Sequence, residues 1–329
     1  MNYLKKLVRI IKKSKRVVIG THIDPDGDGI CGALACAALV RYCNKKNKPI
    51  LFCHSPISSK YQFLIKDQQF TNQLTDFDLL ILVDSADISR VFPDISDCEL
   101  SKFNLKMVIN IDHHKSNNLF GELKIIDENA SSVCELIYQL FKQLRIKITG
   151  HLAEIFYCGI YSETGGFIYP NTSKNVLTIA AELIGLGVEP EPLVKKLNAK
   201  TVAGTLLLSE VLNTIRIKDW VGTMYLTQDM LDKHQADVTD SENFISFLQA
   251  INGIHISVFL REEREGVRIS MRSDGIVDVD KIARKFGGGG HRLAAGVRMK
   301  KDIETARKEI LHAISKELKL KGNSIKGKK

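Results

Sequence analysis

Three short apolar runs, each ending in residues that bind metals or protons, constrain this 329-residue chain more than any other feature. Residues 16–20 read RVVIG and run into THIDPDGDG. Residues 79–83 read LLILV and precede Asp84. Residues 106–111 read KMVINI and precede Asp112, His113 and His114. Short runs that are rich in β-branched residues, with no polar alternation, are strands covered on both faces. Helix-like stretches separate them, at residues 29–44 and 131–144, with another strand at 49–53. That alternation predicts an α/β fold with a parallel sheet, in which ligands bind outside the carboxyl ends of the strands.

The same edge therefore collects His22, Asp24, Asp26 and Asp28 from the first run, Asp84 from the second, and Asp112, His113 and His114 from the third. One aspartate after a strand is ordinarily a cap or turn residue. Carboxylates converging from three strand ends would repel one another without a cation between them. Mixed carboxylate and imidazole donors suit manganese, zinc or iron better than calcium, and no C-x-x-C pair is present to build a structural zinc site. With this many acids the economical arrangement is two divalent ions roughly 3.5–4 Å apart, bridged by one carboxylate and set to hydrolyse a phosphate ester.

The length suggests two domains. The composition changes at GLGVEPEP, so residues 1–185 are expected to form the catalytic domain and residues 186–200 a linker. Strands at 222–227, 254–261, 267–272 and 295–299 predict a smaller α+β domain over 201–318, followed by a basic tail, 319–329. In VRISMR, Arg268, Ser270 and Arg272 share one strand face. The run Gly287, Gly288, Gly289, Gly290 before His291 and Arg292 would let backbone N–H groups approach an anion. Arg90, soon after Asp84, fits a substrate contact or an ordinary surface role equally well. The formal charge of +9 fits an anionic partner. No apolar run is long enough for a membrane span, and the N-terminus lacks the apolar stretch of a signal peptide. The odd set of seven cysteines, many in apolar surroundings, reads as reduced core residues of a cytoplasmic protein.

His22-x-x-x-Asp26-x-Asp28, Val83-Asp84 and Asp112-His113-His114, with GGGGHRLAAG from Gly287 to Gly296, resemble the DHH phosphoesterase family and its associated C-terminal domain. Length and GGFIYPNTS resemble the branch of bacterial nano-RNases and 3′-phosphoadenosine-5′-phosphate phosphatases. The resemblance implies His22 and Asp26 on one metal, Asp28 and His113 on the other, and Asp84 as the bridge. It implies His114 facing the scissile phosphate, with Asp112 orienting a histidine ring and Asp24 in a turn. The family's fourth motif offers an aspartate before Thr-Gly; here Glu163 takes that place and is expected to ligate. Ser270, Arg272, Gly288, Gly289, Gly290, His291 and Arg292 would contact the substrate. The implied cofactors are two divalent ions, manganese foremost. The implied substrates are short RNA or 3′-phosphoadenosine-5′-phosphate, bound in a cleft between the domains. Linear dinucleotides from cyclic-nucleotide signalling and a non-catalytic nucleotide-binding role are the alternatives. No membrane partner is expected, and the oligomeric state, a homodimer included, is left open.

Overall fold

The computed structural model describes residues 2–74, 76–93 and 105–326. Cys98 and residues 327–329 of the expected tail lie outside them. The chain divides into two units, Met1–Ala199 and Lys200–Lys329.

The first unit is built on strands β1 (Val17–Gly20), β2 (Ile50–Phe52), β3 (Phe70–Thr71), β4 (Leu79–Val83), β5 (Met107–Asp112) and β6 (Leu123–Ile126). Their order is β3-β2-β1-β4-β5-β6, and every pairing is parallel. All five residues of β4 are buried, as a strand covered on both faces requires. The unit also holds helices α1 (Asn2–Lys13), α2 (Gly27–Cys43), α3 (Val133–Gln143), α4 (His151–Glu163), α5 (Lys174–Gly185) and α6 (Pro190–Leu197). The largest core joins alternate residues of β1, β4 and β5 to the apolar faces of the helices. A smaller core on the opposite sheet face gathers Val18, Phe52, Phe77, Leu80, Leu82, Val91 and Phe92. The strand order reverses between β1 and β4, and a parallel sheet leaves a crevice at such a switch point.

Residues 186–200, expected as a linker, contain α6 instead. Proline at its first position presets the helical φ, and Leu193 and Leu197 are buried in the main core. The composition of GLGVEPEP marks the turn into a helix rather than a boundary, and the division falls at Ala199.

The second unit contains α7 (Val202–Leu212), β7 (Arg216–Lys218), β8 (Val221–Leu226), α8 (Ile245–Gln249), β9 (Ile256–Glu263), β10 (Gly266–Ser273), α9 (Val279–Arg284), β11 (Gly289–His291), β12 (Ala294–Met299) and α10 (Ile303–Lys326). The sheet order is β11-β12-β10-β9-β8-β7. Only β8 and β9 pair in parallel among these strands. One face packs Val267, Ile269 and Met271 against residues of α9 and α10. The other packs Met224, Leu226 and Phe259 against Leu207 and Val211 of α7 and residues of α8. The backbone of α10 continues to Lys326, so most of the segment expected as a tail is helical.

Candidate metal centre

The ends of β1, β4 and β5 lie side by side because those strands are neighbours in the sheet. Past β1 the chain turns into α2, whose N-cap is Asp26; its carboxylate accepts from Asp28 N and Gly29 N. Asp28, in the first turn of α2, is fully buried. Its Oδ2 accepts from Val133 N at 2.6 Å and its Oδ1 from Cys134 N at 3.0 Å, so it also ties down the N-terminus of α3.

Asp84 stands at the middle of the group. It follows β4 with φ 55°, a left-handed conformation that aspartate tolerates and that recurs at functional sites. Its Oδ2 is 3.4 Å from His22 Nε2, and its Oδ1 is 3.4 Å from His113 Nε2. Both imidazoles are aimed by their other nitrogen. His22 Nδ1 lies 2.9 Å from Ile23 O, and His113 Nδ1 3.3 Å from Ala130 O. A carbonyl only accepts, so each Nδ1 donates and each Nε2 edge is turned to Asp84. His113 Nε2 is also 3.8 Å from Asp28 Oδ2.

These side chains fit a metal. Asp84 Oδ1 is buried and receives no hydrogen bond from the described residues. Two subsets, His22–Asp26–Asp84 and Asp84–Asp112–His113–His114, bring their donor atoms within 4.8 Å of one another. Gly29 keeps the space open: a Cβ there would come within 2.5 Å of Thr21 Oγ1 and 3.2 Å of Asp84 Oδ2. The electrostatics agree. Burial, then the charge of Asp84, pushes the Asp28 carboxyl up to about 8. Burial and then Asp26 raise Glu163 well above the usual carboxylate range, with Asp28 and Asp84 adding to it. Burial opposes the charge on Asp84 as well, yet the imidazoles of His113, His22 and His114 hold its carboxyl well below that range. Burial disfavours a charged His113, but Asp84, Glu163 and Asp28 outweigh it and raise its pKa well above the ordinary value. Raised pKa values at Asp28 and Glu163 reflect carboxylates crowded together out of water, a repulsion that a cation would relieve.

Asp112 meets the expectation that it orients a ring. It is fully buried, its Oδ1 accepts from His114 Nδ1 at 2.7 Å, and its Oδ2 accepts from Asn117 Nδ2 at 2.6 Å. Burial opposes the Asp112 charge, but His114 outweighs it and keeps the carboxyl below its ordinary pKa. Asn117 also donates to Ser85 O at 3.3 Å, so it links the ends of β4 and β5. Sequence reasoning missed it; the sole signal is a small polar residue shortly after the double histidine. Asp24 is in a turn, with φ 52° and its carboxylate accepting from Ser55 Oγ at 3.0 Å. Burial and the charge of Arg90 oppose protonation of His22, but Asp84 and Asp26 outweigh them and raise its pKa; Arg90 O accepts from Ile23 N at 2.7 Å. Glu163 ends α4 and couples electrostatically to Asp26, His113, Asp28 and Asp84, but it is outside the two close subsets.

On the second unit, Arg268, Ser270 and Arg272 do share a face of β10, opposite the buried Val267, Ile269 and Met271. Beside them on β12 stand Arg298, Gly296 and Ala294. The glycine run does not form the open set of amides that its spacing suggests. Gly287 N donates to Arg284 O, Gly288 N to Ala283 O and Gly290 N to Asp280 Oδ1. Gly289 begins β11, opposite Gly296. The run is glycine because strands pass close by: a Cβ at Gly288 would lie 2.2 Å from Gly296 O, and one at Gly290 2.4 Å from Ala294 O. His291 stands at the end of β11 and the exposed Arg292 follows it.

Residues 16–160 match the DHH family, N-terminal domain, and residues 222–320 match the DHHA1 domain. Over 306 residues the chain is 33% identical to the bifunctional oligoribonuclease and PAP phosphatase NrnA of Thermus thermophilus, covering 92% of this chain and 90% of that protein. The chain belongs to the DHH family. It is accordingly a metal-dependent phosphoesterase. This DHH protein is also 28% identical to the bifunctional oligoribonuclease and PAP phosphatase NrnA of Bacillus subtilis, over 92% of this chain and 98% of that one. Its DHH fold matches the crystal structure of an exopolyphosphatase-related protein from Bacteroides fragilis with a TM-score of 0.85 and 24% identity, covering 97% of each chain. Among the described residues no helix is long and apolar enough to cross a membrane.

Proposed function

We propose that the protein hydrolyses RNA of a few nucleotides to nucleoside monophosphates and removes the 3′-phosphate of 3′-phosphoadenosine-5′-phosphate at the same centre. The observation that carries this reading is the convergence of His22 Nε2 and His113 Nε2 on the two oxygens of Asp84, each at 3.4 Å. The names of the two NrnA relatives supply the substrate classes. His22 and Asp26 would hold one divalent ion, Asp28, His113 and Glu163 the other, and Asp84 both. Manganese is the ion that this donor set favours. When bound, the ions supply Lewis-acid stabilisation of the phosphoryl oxygens and an activated water.

The chain's own contribution is orientation. Asp112 accepts from His114 Nδ1 and so orients the ring that would meet the scissile phosphate. Arg272, Ser270, His291 and Arg292 would hold the part of the substrate away from the reacting phosphate, charge-assisted contacts being the strong ones. Gly288, Gly289 and Gly290 would contribute bare backbone surface against which a base can lie.

A substrate panel with manganese tests the proposal: RNA dinucleotide and pentanucleotide, 3′-phosphoadenosine-5′-phosphate, a linear dinucleotide bearing a 5′-phosphate, and pyrophosphate. Turnover of the first three with little on pyrophosphate is expected. Turnover confined to the 5′-phosphorylated linear dinucleotide would overturn the reading in favour of cyclic-dinucleotide signalling, and binding without turnover of any of them would make the protein a nucleotide-binding relative.

A further inference from the structure

The chain has one tryptophan, and it is on the surface. Trp220 leads from the β7–β8 turn into β8 and is 54% exposed. Its neighbours hold it in place. The His255 ring meets the indole edge-on, with centroids 6.0 Å apart at 90°. Trp220 O accepts from His255 N at 2.9 Å and Ile256 N at 3.1 Å. His255 Nδ1 pairs with Asp274 Oδ2 at 2.5 Å, and Asp274 Oδ1 accepts from Ile276 N at 3.1 Å. Trp220, His255 and Asp274 thus form a row at the ends of β8, β9 and β10.

Strand alternation gives the face. Val221 and Ile256 are buried in the core beneath α9 and α10, so the residues before them belong to the other face. Asp274 follows Arg272 by two positions and shares its side. The row therefore stands on the face that carries Ser270 and Arg272, one step further along. From strand spacing and rise, the Cα of Trp220 lies about 12 Å from that of Arg272. Ile217, 53% exposed, pairs with Gly222 at the same sheet edge.

We propose that Trp220 is a stacking platform for a nucleobase of an oligonucleotide, one lying beyond the nucleotide that Arg272 holds. The inference rests on Arg272 being a substrate contact and on short RNA being the substrate. An indole face accepts any base, because every base has a π-face, and so it selects for chain length without selecting sequence. The backbone joining the two positions passes near Arg292, whose guanidinium donates to Gly275 O at 3.2 Å, next to Asp274. The Asp274 carboxylate is already engaged by His255 and Ile276 N, which blunts its repulsion of phosphate. A substrate with one base, such as 3′-phosphoadenosine-5′-phosphate, cannot occupy both positions. Trp220 is then a specificity residue for oligonucleotides alone.

Because the chain has a single tryptophan, its emission reports the event directly. The intact protein with magnesium is titrated with a phosphorothioate-linked pentanucleotide, which resists hydrolysis, and separately with 3′-phosphoadenosine-5′-phosphate. Saturable quenching is expected with the first and none with the second. In turnover, Trp220→Leu should raise KM for pentanucleotide about tenfold with kcat within about twofold, leave KM for 3′-phosphoadenosine-5′-phosphate unchanged, and be largely rescued by Trp220→Phe. Unquenched emission in a protein that hydrolyses the pentanucleotide would overturn the platform, as would an unchanged KM in Trp220→Leu. A shift from dimer to monomer in Trp220→Leu, seen by sedimentation, would instead make the exposed Trp220 and Ile217 a protein contact. A wild type that hydrolyses 3′-phosphoadenosine-5′-phosphate but no RNA would defeat the short-RNA reading, and the platform with it.

Discussion

Two carboxylates of the metal centre answer different questions when removed. Asp84 touches both oriented histidines, so Asp84→Ala should abolish turnover almost completely and lower bound metal at both positions while the circular dichroism stays native. Near-normal activity with two ions retained would end its assignment as the bridge. Glu163 is the proposed donor on a longer arm; it replaces the aspartate of the resembled motif and lies outside the close donor subsets. Glu163→Gln should lower metal stoichiometry toward one and reduce kcat at least tenfold at limiting manganese. Unchanged stoichiometry would remove it from the ligand set. The sequence exposed the aspartates and histidines because metal donors after apolar strands form a local pattern. It hid Asn117 and the second task of Asp28, anchoring α3, because a single amide, or a pairing between residues 28 and 133, leaves no periodic trace.

Four strands of the first sheet were legible for the same reason, β1, β4 and β5 as continuous apolar runs in register with their neighbours and β2 as a shorter one, whereas the short strands β3 and β6 were not anticipated. The failures came where local chemistry has two structural outcomes. Glycine and proline before a helix look like a linker, and a helix with only two buried leucines shows a weak stripe; α6 is such a helix. Its membership in the first core can be measured. Leu193→Ala should cost about 2–5 kcal/mol and lower the urea midpoint of the transition that reports the first unit. If residues 186–200 were a solvated linker, the midpoint would not move. The glycine run was misread in a similar way. Absent side chains serve anion contact and strand crowding equally well, and only the sheet shows that Gly288 and Gly290 are pressed against carbonyls.

At the scale of the molecule, the division of labour between the units sets the expected kinetics. The proposed metal donors come from the first unit and the proposed substrate contacts Arg272 and His291 from the second, so lesions in the two should separate. Arg272→Ala and His291→Ala should each raise KM for dinucleotide by roughly tenfold to a hundredfold, the weight of one charge-assisted contact, with bound metal unchanged. The preference for short over long RNA should shrink in both. Variants that lose metal instead would refute the assignment of these side chains to substrate. The unit boundary has a consequence in time as well. The six proposed metal donors, His22, Asp26, Asp28, Asp84, His113 and Glu163, all precede residue 164, and the first unit ends at Ala199. Domains fold as they leave the ribosome, N-terminal first. A nascent chain would therefore carry all six proposed donors before the second unit is complete, which would let the cation bind during synthesis rather than after release.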